Sequence, residues 1–364
     1  MTASKDSVAV RRGEDLDVAA LDRYLRDRLS TGTDAVAPNS KLEVEQFPGG
    51  HSNLTYLVRY GTDEFVLRRP PVGPVAPTAH DIPREYKLLS LINPQFNLAP
   101  RPVLLCEDIS IIGTTFYLME RRRGHILRSQ LPDNISHDLG LLKRISETVI
   151  DTLVSLHEVD IYSCGIASIG KPDGFVERQV RGWASRWHRS KTNELAEMDQ
   201  VIKWLVDRIP SDSNRHATIV HNDFKLDNLI FDDHDTSRLV AVLDWEMCTV
   251  GDPLVDLGLF LTYWTMSGGD ADHEKNSSLR ALTNAPGWMT REEIIERYQT
   301  ATGRDLARIA FYETFARFKI AVVVQQIYFR YVKGQTHDER FRNFDVLVRR
   351  LIRESLEMAQ RSGI

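Results

Sequence analysis

The residues best suited to chemistry in this 364-residue chain lie in one short stretch, His221-Asn-Asp-Phe-Lys-Leu-Asp-Asn228. Asp244-Trp-Glu246 follows, its Asp244 sixteen positions after Asn228. An apolar strand is expected before each piece, and the polar turn Asp232 to Ser237 lies between them. A hairpin of this kind brings Asp223, Asn228 and Asp244 together. Two carboxylates and an amide at one point form the ligand set of a Mg²⁺ ion carrying phosphates. Asp223 can stay off the metal and accept a proton from an attacking hydroxyl. Asp and Asn are also common turn-formers and caps, so the case rests on the combination and its order.

Asp223 and Asn228 have the Asp-x4-Asn spacing of the kinase catalytic loop, in which the Asp meets the hydroxyl and the Asn holds metal. A later Asp bridges metal and nucleotide phosphates. On these residues the chain resembles the aminoglycoside phosphotransferase family, within the protein-kinase-like fold that includes choline kinase and methylthioribose kinase. His221 to Asn228 matches the family's H-G-D-x4-N loop with Asn222 in place of Gly. Asp244-Trp-Glu246 matches its metal-binding aspartate. Gly251-Asp-Pro-Leu-Val-Asp-Leu-Gly258 matches G-D-P-x2-D-L-A with Gly258 in place of Ala. The resemblance runs from about residue 41 onward and is strongest toward a branch also found fused to acyl-CoA dehydrogenases. It implies ATP and Mg²⁺ as cofactors and a small-molecule hydroxyl as acceptor. Asp223 would be the catalytic base, and Asn228 and Asp244 the metal ligands. Lys225, two residues after the base, would reach the γ-phosphate or stand as a solvated loop lysine.

The strand-rich part ahead of this loop offers a matching phosphate site. Phe47-Pro-Gly-Gly-His-Ser-Asn53 sits at a hairpin where glycine lets backbone N–H groups approach phosphates. That reading assigns Gly49, Gly50, Ser52 and Asn53 to the nucleotide and leaves His51 as a loop residue. A strand cation paired to a helix Glu should steady the triphosphate. The resemblance puts Arg68 and Glu85 in these places, with Arg69 on the opposite strand face. Most kinases use Lys there, whereas Arg is always charged and can grip phosphate through two N–H groups. By the same resemblance the backbone from Met119 to Arg121, Glu120 included, bonds the adenine edge, and Met119 lines its pocket. Asp252 and Asp256 are expected to anchor the catalytic loop or cap a helix, and Asp227 has no assigned task.

These groups need a scaffold, and the apolar periodicity supplies one. Asp15 to Leu29 reads as an amphipathic helix with Leu21, Leu25 and Leu29 on one face. Period-two alternation marks strands at 41–47, 54–59 and 64–68, then at 103–106 and 115–119. A helix is expected from Arg84 to about Ile92. Later helices are expected over 141–158 and 175–209, and over 254–266, 291–301, 305–333 and 340–360. Short strands are expected near 217–220, 228–231 and 239–243, and Ser267 to Gly287 reads as a loop. Strands first and helices later predict an α+β bilobed fold. The expected parts are a helical arm (1–40), a nucleotide-binding lobe (41–121) and a catalytic, substrate-binding lobe (122–364).

Composition narrows the function. There are 46 basic and 51 acidic residues, a net charge of −5, which argues against nucleic-acid binding. No run approaches the roughly 18 apolar residues of a membrane span. A polar N-terminus without a secretory apolar segment, and three cysteines without metal spacing, predict a cytoplasmic, thiol-reduced enzyme. From residue 251 onward fifteen acidic and sixteen basic side chains nearly balance, which weakens a polycationic acceptor such as an aminoglycoside. Phe311, Phe315, Phe318, Val322 and Phe329 read as a core stripe, and Tyr263, Trp264 and Tyr328 as possible pocket walls. Arg317, Lys319 and Arg330 would suit an anionic acceptor if they point inward, but a solvated helix face is the favoured reading. The leading function is an ATP-dependent small-molecule kinase. Its alternatives are a nucleotide-binding pseudokinase, or a kinase for hydroxy-acid or hydroxyacyl substrates instead of antibiotics. A protein kinase is disfavoured, because the loop lacks the usual Arg and no A-P-E segment follows. The oligomeric state is not encoded in any of these patterns.

Overall fold

A computed structural model describes residues 6–30, 33–37, 39–48, 53–72, 80–128, 131, 133–211, 217–266 and 282–364. The chain divides into two compact units. One holds Met1–Gly124 with Val240–Glu246, the other His125–Leu239 with Met247–Ile364.

The first unit is built on an antiparallel sheet of five strands: β1 (Leu42–Gln46), β2 (Leu54–Tyr60), β3 (Asp63–Arg69), β4 (Pro102–Cys106) and β5 (Phe116–Glu120). Their spatial order is β1-β2-β3-β5-β4, so the two later strands join the first three through a crossover. Gly61, at φ 60°, turns β2 into β3 in the left-handed region that glycine enters without a Cβ penalty. Alternation sends Leu54, Tyr56, Val58 and Tyr60 to one face. There they pack in a single core with Leu21 and Leu25 of helix α1 (Val18–Arg28) and with Leu29, which caps its C-terminus. Tyr60 ties the two together by donating to Asp22 at 2.7 Å.

Helix α2 (Ile82–Ile92) starts two residues before the expected Arg84. Asp81 caps it by accepting from the Arg84 N–H, and Pro83 sits in the first turn, where no N–H is needed. The segment Val240–Glu246 is held in this unit by Val242 N–H donating to the Leu98 carbonyl (2.8 Å). The Trp245 ring meets Phe96 edge-on.

The second unit is mostly helical. Its helices are α3 (Asp133–Ser136), α4 (Leu139–His157), α5 (Phe175–Ser190) and α6 (Ala196–Asp207), followed by α7 (Leu254–Thr265), α8 (Arg291–Thr302), α9 (Ile309–Val332) and α10 (Phe344–Arg361). Short strands β6 (Thr218–Val220) and β7 (Leu229–Phe231) flank the catalytic loop. β8 (Leu239–Val242) carries the chain toward Asp244, and β9 (Thr249–Gly251) pairs antiparallel with β6. The single helical stretch expected over 175–209 is two helices. Lys191 turns extended at φ −59°, ψ 136°, and Thr192-Asn193 are weak helix formers.

Helix α9 runs through the middle of this unit, packed on α5, α6, α7 and α10. From Phe311 to Val322 every side chain is buried, including Arg317 and Lys319. The expected solvated face therefore does not exist there, and only Arg330 of the three cations is exposed. Phe311, Phe315, Phe318 and Val322 are core as expected, with Phe329 half-buried.

Candidate active site

In the second unit the site is a loop fastened from behind. Asn222 adopts φ 67°, the left-handed region that Asn tolerates better than other residues bearing a Cβ. This accounts for Asn where the resembling family has Gly. Asp256, fully buried in the first turn of α7, accepts from the backbone N–H groups of both His221 and Asn222. His157 reaches the same carboxylate through Nε2 at 3.4 Å, and its Nδ1 meets the Tyr298 hydroxyl at 2.8 Å. Burial depresses the His157 pKa and favours its neutral form, with Asp256 pulling the other way. The Asn222 amide donates to the Met247 carbonyl at 3.0 Å. Asp252 accepts from Leu254 N–H and from the Tyr312 hydroxyl, the second at 2.6 Å. Both acids thus anchor and cap, as expected from the sequence.

Gly258 has its own reason. A Cβ there would lie 2.6 Å from the Tyr312 backbone, so the closeness of α7 to α9 requires glycine where the family motif has Ala.

Ahead of this anchor stands Asp223. Its carboxylate takes the Lys225 ammonium on both oxygens, at 2.9 and 2.8 Å, and the Asn228 amide N–H at 2.9 Å. Asn228 also donates to the Asp223 backbone carbonyl at 2.8 Å. Lys225 is half-buried and lies 5.1 Å from the Tyr263 ring centre, which removes the reading of a solvated loop lysine. Burial opposes its charge, but Tyr263, Asp223 and Asp227 outweigh that and hold it protonated. Burial also pushes the Asp227 carboxyl above its usual range. Of the possible pocket walls, Tyr263 stands beside Asp223 and Lys225, Trp264 is buried against Phe260 and Trp288, and Tyr328 is half-buried.

The first unit carries a second cluster. Arg68, projecting from β3, meets Glu85 of α2 at 3.5 Å, Asp244 at 2.9 Å and Glu246 at 3.4 Å. Burial works against the guanidinium charge, but Glu85, Tyr117 and Asp244 outweigh it and keep Arg68 protonated. Burial pushes Glu85 up to about 7 against the pull of Arg68. Asp244 sits at φ 67°, a left-handed position like that of Asn222. The Asn53 side chain is engaged at both ends, donating to Glu246 at 2.9 Å and meeting His80 through Oδ1 at 2.9 Å. Gly49, Gly50, His51 and Ser52 lie outside the described residues.

Met119 is buried under the Tyr117 hydroxyl. The Glu120 N–H donates to the Arg101 carbonyl at 2.9 Å, so it is not open to an adenine edge. Arg121 pairs with Glu64 and Asp6. Arg69 is buried with Nε toward the Pro70 carbonyl.

The donor set can be tested against Mg²⁺. Among the described residues no three His, Cys, Asp or Glu side chains gather as a metal site. Mg²⁺ does not require such a cage, because it uses one or two protein ligands with phosphates and waters. Asn228 directs its amide N–H at Asp223, which leaves the amide oxygen as the atom for a cation. The Asp244 side chain is one-third exposed, so a carboxylate oxygen can be reached. Both groups fit the role. In the Arg68 pair, Nε and the Glu85 Oε2 are buried without a hydrogen-bond partner among the described residues.

A family model described as the phosphotransferase enzyme family matches residues 43–312. The chain belongs to this family. Acyl-CoA dehydrogenase family member 11 of Gallus gallus is 32% identical over 99% of the chain, and that of Rattus norvegicus 34% over 93%. The chain spans less than half the length of these relatives, 46% and 43%. A solved Ralstonia eutropha protein, described as a candidate aminoglycoside phosphotransferase, superimposes with a TM-score of 0.80 at 28% identity. That match covers 95% of this chain and 99% of the other. The fold is thus protein-kinase-like, in a member of the phosphotransferase enzyme family. Among the described residues no helix is long and apolar enough to cross a membrane.

Sequence reasoning favoured a solvated place for Lys319, gave Glu246 no task of its own and missed the His157–Tyr298 pair. A lysine inside an otherwise apolar helical run was the one signal available for the first.

Proposed function

We propose that this phosphotransferase moves the γ-phosphate of ATP to a hydroxyl of a small molecule, with Asp223 as the group that orients and deprotonates that hydroxyl. The observation carrying the reading is the arrangement around Asp223. A carboxylate is held by Asn228 and Lys225 on a loop that Asp256 fastens from behind. Proton acceptance by such a positioned carboxylate contributes roughly 10²–10⁴-fold to rate.

In this reading Asn228 and Asp244 hold Mg²⁺, and Arg68, braced by Glu85, steadies the triphosphate. When bound there, Mg²⁺ would supply neutralisation of the phosphate charge. Lys225 orients the transferring group from beside Asp223. Residues 41–121 bind nucleotide and 122–364 bind the acceptor, with the backbone at Met119 and Arg121 left for the adenine edge. Three free thiols fit a reducing, cytoplasmic location.

The acceptor we favour is a neutral or anionic hydroxyl compound, with hydroxy acids and hydroxyacyl thioesters first. Asp223 has Lys225 against it and Lys319 within electrostatic reach, so the surroundings lack the carboxylate excess a polycation needs. The test is a transfer screen with purified protein, Mg²⁺ and ATP against hydroxy acids, hydroxyacyl thioesters, amino alcohols and aminoglycosides. Transfer to one class is expected, reduced at least 100-fold by Asp223→Ala with ATP binding retained. ATP binding without transfer to any compound would leave a pseudokinase and sink the reading.

A further inference from the structure

Lys319 lies in the middle of α9 and is only 5% exposed. Among the described residues no carboxylate comes within ion-pair distance of it. Its ammonium donates instead to the Asn222 backbone carbonyl at 3.0 Å and approaches the Asn222 side-chain oxygen at 3.4 Å. The Trp183 ring of α5 lies 5.6 Å from the ammonium.

The carbonyl that Lys319 holds belongs to the peptide bond joining Asn222 to Asp223. The other end of that bond, the Asp223 N–H, points at His221 Nδ1 at 3.3 Å. The peptide is therefore gripped on both sides, directly before the base and directly after a residue at φ 67°. A left-handed Asn costs about 1 kcal/mol and persists where its surroundings over-determine it.

Stability gives no reason for a charge at this position. A buried ammonium without an ion-pair partner is expensive, and an apolar side chain of similar length would pack better. Building on the phosphotransfer reading above, we infer that Lys319 is a positioning residue, whose ammonium fixes the Asn222–Asp223 peptide and so aims the Asp223 carboxylate at the acceptor hydroxyl.

Titration supports the geometry. Burial pushes the Lys319 ammonium down to about 8. The groups facing it are Asp223 and Lys225 on the loop, Asp256 on α7 and Arg186 on α5. The two carboxylates resist the shift and the two cations add to it. Lys225 and Tyr263 are held protonated far above this range, so neither accounts for a change near pH 8.

The experiment follows ADP release from Mg·ATP with water as acceptor, for wild type and Lys319→Met, across pH 6 to 9.5. Melting temperature and ATP affinity are measured alongside. Wild type is expected to lose activity as pH rises through about 8. Lys319→Met should bind ATP within threefold of wild type, turn over at least 30-fold more slowly, lack the basic limb, and melt no lower than wild type. A purely structural lysine would lower the melting temperature and leave the pH profile in place, which overturns the inference. So does a wild-type profile that is flat to pH 9, even if the variant does not fold. If wild type turns over and Lys319→Met matches it, Lys319 alone falls. If wild type releases no ADP with water at any pH, the same comparison is made with an acceptor from the transfer screen, and no transfer there removes the phosphotransfer reading and Lys319's role with it.

Discussion

Arg68 and Asp223 centre two clusters of opposite construction. Around Arg68 one guanidinium faces three carboxylates, from Glu85, Asp244 and Glu246. Around Asp223 one carboxylate faces Lys225, with Lys319 held behind the same loop. The first cation is always charged, so the cluster keeps a fixed positive centre in a surplus of negative charge, which suits cationic metal and phosphate together. The second contains an ammonium brought close to physiological pH. Under the proposed function, the half that handles phosphate charge is insensitive to pH at its cation. The half that handles the proton is adjustable.

The means of support differ as well. Arg68 is set by strand register, with Arg68 opposite Tyr117 on β5, and by packing on α2. Asp223 is set by backbone hydrogen bonds into side chains of two other elements, Asp256 on α7 and Lys319 on α9, which makes it the more vulnerable to single substitutions. Asp256→Ala should show this most strongly. It strands two buried N–H groups and should destabilise the protein by about 4 kcal/mol. A urea unfolding midpoint that hardly moves would deny the loop its anchor.

Arg68→Lys should do less, because the fold is retained while a point charge replaces a fork that reaches three carboxylates. ATP affinity is expected to drop about tenfold, or ~1.4 kcal/mol, with little change in unfolding midpoint. Tighter ATP binding by calorimetry would mean the arginine is no substitute for a lysine but a handicap.

The smallest effect concerns Glu85. Burial raises its folded pKa to about 7, above the ordinary glutamate value of 4.5. Its contribution to stability is therefore fully present below about 4.5 and is lost as pH rises through about 7. Glu85→Gln should flatten the fall in melting temperature between pH 5 and 8. A curve parallel to wild type would place the titration elsewhere.

The catalytic loop was legible because its chemistry is local. His221 to Asn228 carries base, cation and amide within one turn of chain, and the aspartate at 244 follows at fixed spacing. Most helices and strands were legible from period alone. The sheet order was not, since β3 meets β5 only through pairing across fifty residues of sequence. Lys319 and Arg317 were misread for a related reason. A charge on a helix signals solvent only if the helix has a solvent side, and α9 over this stretch has none. Nor could spacing show that the Asn53 amide is bound to Glu246, 193 positions away.

Val240–Glu246 returns to the first unit after the chain has already entered the second. A fragment cut at Gly124 would therefore lack the strand bonded to Leu98, the ring against Phe96, and two of the acids on Arg68. Gene fusion or exchange of this module has to move both pieces at once. The smallest heritable block is the whole chain from the sheet to beyond Glu246.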